Sequence, residues 1–271
     1  RSNSIYRILW FPFFTFAINF LNMRFFIDIS YDGTNYHGWQ IQPNAKTIQD
    51  QINKAISTIL NQEINVVGAG RTDTGVHAKQ LIAHFDYDKK IDTKKIVHKL
   101  NGFLNEDISI NEIYRVKSDA HARFSAISRT YTYSISKTKD PFSKYSLLIN
   151  RELNLEQMSK ACNYILGEKD YSAFAKLHSD SFTNNCNIYN ASWQFNEKSL
   201  IFSIRANRFL RNMVRAIVGT MLEVGDGKLK ANEIDKIILS KDRSKAGFSV
   251  PARGLSLIQI DYPKEIKYER K

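Results

Sequence analysis

Cysteine is almost absent from this chain. Cys162 and Cys186 are the only two among 271 residues, too few for a disulfide framework and without the paired spacing of a zinc site. Histidine is sparse and scattered, as His37, His77, His84, His98, His121 and His178, with no HExxH and no Cys/His cluster. No metal is expected. Only five prolines occur and no Gly/Ser linker, which argues for parts docked on one another and against parts swinging on a tether. Long apolar runs are also missing. The one candidate, Ile8 to Leu21, is about fourteen residues long and is interrupted by Pro12, Thr15 and Asn19, whereas a membrane-spanning helix needs ~20 residues. No small-residue cleavage site follows it. Residues 1–22 are therefore read as a non-native extension ahead of a natural start at Met23, and a protein anchored to a membrane by this run is the weaker alternative.

Positive charge is what the chain has in excess. Thirty-nine Lys and Arg against twenty-seven Asp and Glu give a formal charge of +12, a footprint that suits a polyanion such as nucleic acid. Solubility alone also selects basic surfaces, so charge does not decide the matter. Hydrophobic residues at 43% exclude a disordered chain, and the length admits two domains of ordinary size.

Periodicity predicts the organisation. Phe25, Ile27 and Ile29 alternate as a strand that ends at the turn Asp32-Gly33-Thr34-Asn35. Thr47 is placed to cap a helix carrying Ile48, Ile52, Ile56 and Leu60 to about Asn61. Short strands follow at Ile64–Val67 and Leu81–Phe85, then a helix marked by Ile96, Leu100 and Phe103, then a strand over Ile108–Val116. This β-α-β-β-α-β order is that of a ferredoxin-like unit. The remainder reads similarly, with strands at Thr130–Ser136, Ala191–Phe195, Leu200–Ala206 and Leu257–Ile260. Its helices fall at Leu155–Leu166, Phe209–Val224 and Glu233–Leu239. The expected fold is α+β, with two ferredoxin-like halves whose antiparallel sheets join into one catalytic unit and a cleft between them. The expected boundaries are 23–125, 126–262 and a basic tail at 263–271.

The most informative segment is Val67 to Ala78, which reads VGAGRTDTGVHA between two strands. Gly68, Gly70 and Gly75 allow tight turns and close approach, and Arg71 and Asp73 share the loop. It fits neither GxxxxGK[ST] nor GxGxxG, and no helix is expected after it. A wide hairpin with a solvated Arg and Asp is the bland alternative. Further along, Arg208, Arg211 and Arg215 recur at helical spacing opposite an apolar face of Phe209, Leu210, Met213, Val214 and Ile217. Arg129, Tyr131 and Tyr133 alternate onto one face of a strand.

The loop resembles the catalytic motif of the TruA family of tRNA pseudouridine synthases, Gly-Arg-Thr-Asp followed by Gly-Val-His-Ala. Tyr31-Asp32-Gly33-Thr34, Gly38-Trp39-Gln40, Ala83-His84-Phe85-Asp86, His121 to Ala126, Arg129 to Tyr133, Phe209 to Arg215 and Gly254-Leu255 resemble the family's other landmarks in order. The likeness runs from about Met23 to Tyr262. Thr74 stands where the family usually has Ala, and Val250 precedes Pro251 where Ala is commoner. The resemblance implies a cytoplasmic homodimer that isomerises uridine to pseudouridine at positions 38, 39 and 40 of the tRNA anticodon arm. The reaction breaks one glycosidic bond and makes another with no net redox change, so no cofactor is expected. Asp73 matches the catalytic carboxylate, a role close to that of a carboxylate in glycoside chemistry. Seclusion disfavours an ionised carboxylate, so the site should hold a cation; Arg215 matches it by family position, while Arg208 and Arg211 are read as a solvated stripe. Tyr131 matches the tyrosine that stacks on the target base, Leu255 an apolar residue lining its pocket, and Arg71 the cation that enters the space left by a flipped base. The histidines are read as structural. The alternative from another class is a non-catalytic RNA-binding protein on the same scaffold.

Overall fold

The computed structural model describes residues 23–176 and 182–268. The extension expected at residues 1–22 therefore lies outside the described residues, as does the end of the basic tail. The fold is α+β: the described residues form one ten-stranded, mostly antiparallel sheet and five α-helices. In chain order the elements begin β1 (Met23–Tyr31), α1 (Ile48–Leu60), β2 (Val67–Gly68), β3 (His77–Tyr87), α2 (Thr93–Phe103) and β4 (Ile108–Arg115). They continue β5 (Ser128–Ser136), β6 (Leu147–Leu148), α3 (Leu155–Tyr164), β7 (Gly167–Asp170), β8 (Asn185–Phe195) and β9 (Ser199–Ala206). The last are α4 (Met213–Gly225), α5 (Glu233–Ser240) and β10 (Leu255–Asp261).

Local chemistry accounts for most boundaries. Thr47 Oγ1 accepts the Asp50 N–H at the head of α1, and Asn61 closes the helix in the left-handed region at φ 50°. Ile48, Ile52, Ile56 and Leu60, four apart, are buried along one face of α1. Asp92 caps α2 through the Lys95 N–H at 3.1 Å. In α2, Ile96 and Leu100 are buried while Phe103, expected as a third anchor, is exposed.

The sheet runs β4-β1-β3-β10-β5-β9-β8-β7, with β2 also paired to β3 and β6 to β5. β10 is the join, parallel to β3 at Ser256↔His77 and antiparallel to β5 along its length. The buried side chains form two clusters. One gathers β1, β3, β4, α1 and α2 around Phe26, Ile27, Ile52 and Leu100. The other gathers β5, β8, β9 and α3 to α5 around Tyr133, Phe174, Phe202 and Met221. β10 gives Leu255 to the second and Leu257 and Ile260 to the first, while Tyr131 packs against both. Among the described residues no helix is long and apolar enough to cross a membrane.

Candidate active site

The segment between β2 and β3 is braced on both sides of Asp73. Ala69 N donates to Ile82 O at 2.7 Å, Thr72 O accepts from Trp39 N at 3.1 Å, and Gly75 N reaches Tyr36 O at 3.3 Å. The buried Tyr31 phenol meets Thr72 Oγ1 at 2.8 Å. Gly38 makes this bracing possible. Its φ is +88°, and a Cβ there would lie 2.4 Å from Thr72 O, so only glycine lets the two backbones approach this closely. The His77 ring nitrogens lie 3.0 Å from Asp32 Oδ1, 3.1 Å from Gly33 N and 3.1 Å from Arg253 O, tying the start of β3 to the turn after β1 and to the turn before β10.

Asp73 itself is 27% exposed and faces two guanidinium groups. Arg215, in the first turn of α4, sits 4.0 Å from Oδ2, and its Nε donates to Val250 O at 2.7 Å. The segment carrying Val250 lies directly on α4 because Gly219 has no side chain; a Cβ there would fall 1.7 Å from Phe248 O. Arg211 Nε lies 3.3 Å from Asp73 Oδ1. This corrects two expectations. The helix does not start at Phe209: Asn212 takes φ 67°, with its side chain bonded to Ser249 Oγ at 2.6 Å, and α4 begins after it. Arg211 thus leaves the helical stripe and turns toward the carboxylate, where a solvated role had been expected.

Tyr131 lies mid-strand on β5, half-buried, with its ring edge-on to Phe209 at 5.2 Å. Burial pushes its phenol up to about 12; Arg129 opposes the rise and the nearby Asp73 charge adds to it. Tyr133, whose place on one face with Arg129 argued against a core position, is instead fully buried and donates to Pro251 O at 2.8 Å. Leu255 is buried opposite Tyr133 in the β10–β5 register. Arg71 is exposed, and its side chain has no hydrogen-bond or ion-pair partner among the described residues.

One residue carries a role that the sequence did not announce. Arg129 donates from both terminal nitrogens to four backbone carbonyls: Ala126 at 3.2 Å, Asn207 at 2.8 Å, Ala69 at 3.1 Å and Arg123 at 2.6 Å. It fastens the loop bearing Asp73 to the segment leading to Arg211 and Arg215. Burial lowers its pKa from the ordinary arginine value. Among the described residues, no group of three or more His, Cys, Asp or Glu side chains is arranged to hold a metal ion.

A carboxylate braced beside two guanidinium groups and near a tyrosine, on a strongly basic chain, suits an enzyme whose substrate is a polyanion. Sequence comparison makes this specific. The family model described as tRNA pseudouridine synthase matches residues 28–125 and 161–263, and the chain belongs to this family. It is similar to the tRNA pseudouridine synthase A of Bacteroides fragilis, 50% identical over 246 residues, 90% of this chain and 98% of that protein. The tRNA pseudouridine synthase A of Porphyromonas gingivalis is 48% identical over 248 residues, 90% and 98% of the two chains. That of Thermoanaerobacter pseudethanolicus is 43% identical over 239 residues, 87% and 98%. The chain is an isomerase acting on tRNA.

Proposed function

We propose that this chain converts uridine to pseudouridine at positions 38, 39 and 40 of the anticodon arm, with Asp73 as the catalytic carboxylate. The observation that carries the reading is the placement of Asp73 between two guanidinium groups, on a braced loop beside Tyr131 where the two buried clusters meet. In the reaction the bond from N1 of uracil to C1′ of the ribose breaks, the base turns, and C5 takes its place. The proton lost from C5 is balanced by the one gained at N1, so no redox partner is required. Asp73 acts at the sugar, where positive character develops as the first bond breaks. Arg215, tied to Val250 O, keeps that carboxylate charged when the substrate excludes water.

Tyr131 offers a flat apolar face for the target base and a phenol that stays protonated near neutral pH. Leu255, paired with Tyr133 in the β10–β5 register, is suited to line the base pocket. Arg71, exposed on the loop two residues before Asp73, is suited to enter the gap that a flipped base leaves. Two ferredoxin-like halves, 23–125 and 126–262, fit the two clusters and the order of the first six elements. By family resemblance the enzyme works as a cytoplasmic homodimer. Asp73→Asn, which keeps shape and removes charge, should retain tRNA binding while product formation drops on the order of a thousand-fold or more. Carbodiimide mapping of treated tRNA reads the product, and substantial residual activity would remove Asp73 from its role.

A further inference from the structure

The two guanidinium groups on Asp73 are held in different ways. Arg215 is tethered through Nε to Val250 O and is 21% exposed. Arg211 is 59% exposed, and its only side-chain hydrogen bond or ion pair among the described residues is the 3.3 Å approach of Nε to Asp73 Oδ1. Its terminal nitrogens have no protein partner there. An exposed ion pair of this sort contributes at most about a five-fold factor, so it is readily exchanged for a better one. It also covers an oxygen of the carboxylate that the sugar must reach.

We propose that Arg211 is a positioning residue with two stations. In the free enzyme it sits on Asp73; when RNA enters, it transfers to a backbone phosphate flanking the target uridine and uncovers Oδ1. This rests on the reading of Asp73 as the catalytic carboxylate. The phosphates flanking a nucleotide are attached to the same ribose whose C1′ Asp73 addresses, so docking that sugar brings one of them toward the exposed end of Arg211. A guanidinium offers a phosphate two parallel N–H donors, whereas it makes only a single Nε contact with Asp73. Arg215, less exposed and anchored through Nε to Val250 O, is held in place where Arg211 is free to swing. Exposure of the reactive oxygen is thereby coupled to arrival of the substrate.

The test is a binding cycle with labelled tRNA transcript, read by stopped-flow fluorescence before product accumulates, on wild type, Asp73→Asn, Arg211→Ala and the double variant. Removing the Asp73 charge frees Arg211, so Asp73→Asn should bind tRNA about two- to five-fold more tightly, and this gain should vanish in the Arg211→Ala background. Arg211→Ala should also lower the slope of log affinity against log salt by about one, the signature of one lost phosphate contact, while Arg211→Lys keeps it. An equal gain from Asp73→Asn with and without Arg211, or an unchanged salt slope in Arg211→Ala, overturns the proposal. Arg211→Gln reads the same slope should the alanine variant fold poorly. Product formation by Asp73→Asn is followed in parallel: activity there sinks the catalytic reading, and the binding cycle still judges Arg211.

Discussion

Replacing Arg129 by lysine should loosen the site without touching any group proposed to meet the substrate. The guanidinium uses all four terminal N–H groups on carbonyls at 2.6 to 3.2 Å. A lysine has three donors on a single atom and cannot span the two arms of that fork. At least two bonds are lost, and hydrogen bonds to a charged group are worth about 1.5 kcal/mol or somewhat more each. Because the site is only half-buried, water recovers part of this, leaving a cost of about 2–3 kcal/mol. For a chain of this size that corresponds to a fall in Tm of about 5–10 °C. The freed ends are Ala69, at the base of the Asp73 loop, and Asn207, ahead of Arg211 and Arg215. Drift of one against the other by a fraction of an ångström should lower kcat by about ten- to a hundred-fold. tRNA affinity should stay within about three-fold, since phosphate contacts elsewhere dominate it. Thermal unfolding and single-turnover kinetics measure the two effects. An Arg129→Lys enzyme with wild-type Tm and wild-type kcat would refute the idea that this side chain fastens the site.

Gly38→Ala combines a residue at φ +88° with a Cβ 2.4 Å from Thr72 O, and should cost about 2–4 kcal/mol. Because Thr72 precedes Asp73, turnover should fall by more than the folded fraction does; urea unfolding and activity together check this, and an unchanged midpoint with full turnover would contradict it. Stability should also depend on pH through His84, whose Nδ1 accepts the Ala122 N–H at 3.1 Å and so must carry a lone pair. Burial, with help from Arg24 and His121, lowers its pKa from 6.5 to about 4. Between those values the unfolded chain binds a proton that the folded one refuses, so stability is full above about pH 6.5 and falls by up to about 3 kcal/mol toward pH 4. Urea midpoints across this range should slope for wild type and flatten for His84→Gln; an equal slope in both would assign the effect elsewhere.

What the sequence displayed best was anything local. The Thr47 cap and the four-residue spacing of Ile48, Ile52 and Ile56 marked α1 to its end, and the glycine-rich loop identified itself by composition and resemblance. The start of α4 was hidden because Phe209 and Leu210 continue the apolar pattern through a turn, and the positive φ of Asn212 leaves no trace in periodicity. With the helix assumed to run through it, Arg211 was assigned to the wrong surface. β6 and β7, two and four residues long, are too short to show alternation. Arg129 looked like an ordinary polar strand residue because its four acceptors are backbone groups, which carry no residue type to recognise. How the sheets join was invisible for a related reason: β10 meets β3 through Ser256↔His77, a pairing no local window contains.

That pairing makes the order of synthesis matter. β1, β3 and β4 can pair with one another as soon as they leave the ribosome, and β5 can pair with β9 later, but the strand that connects the two groups is made after all of them. Until residues 255–261 emerge, the His77 end of β3 and the Ser128–Tyr133 stretch of β5 that faces it lack their sheet neighbour. Open edges of this kind invite pairing with other chains. The strand that joins the sheet bearing the Asp73 loop to the strands bearing Tyr131 is therefore also the one that covers these edges. A ribosome that stops short releases a molecule with no assembled site and two unprotected edges.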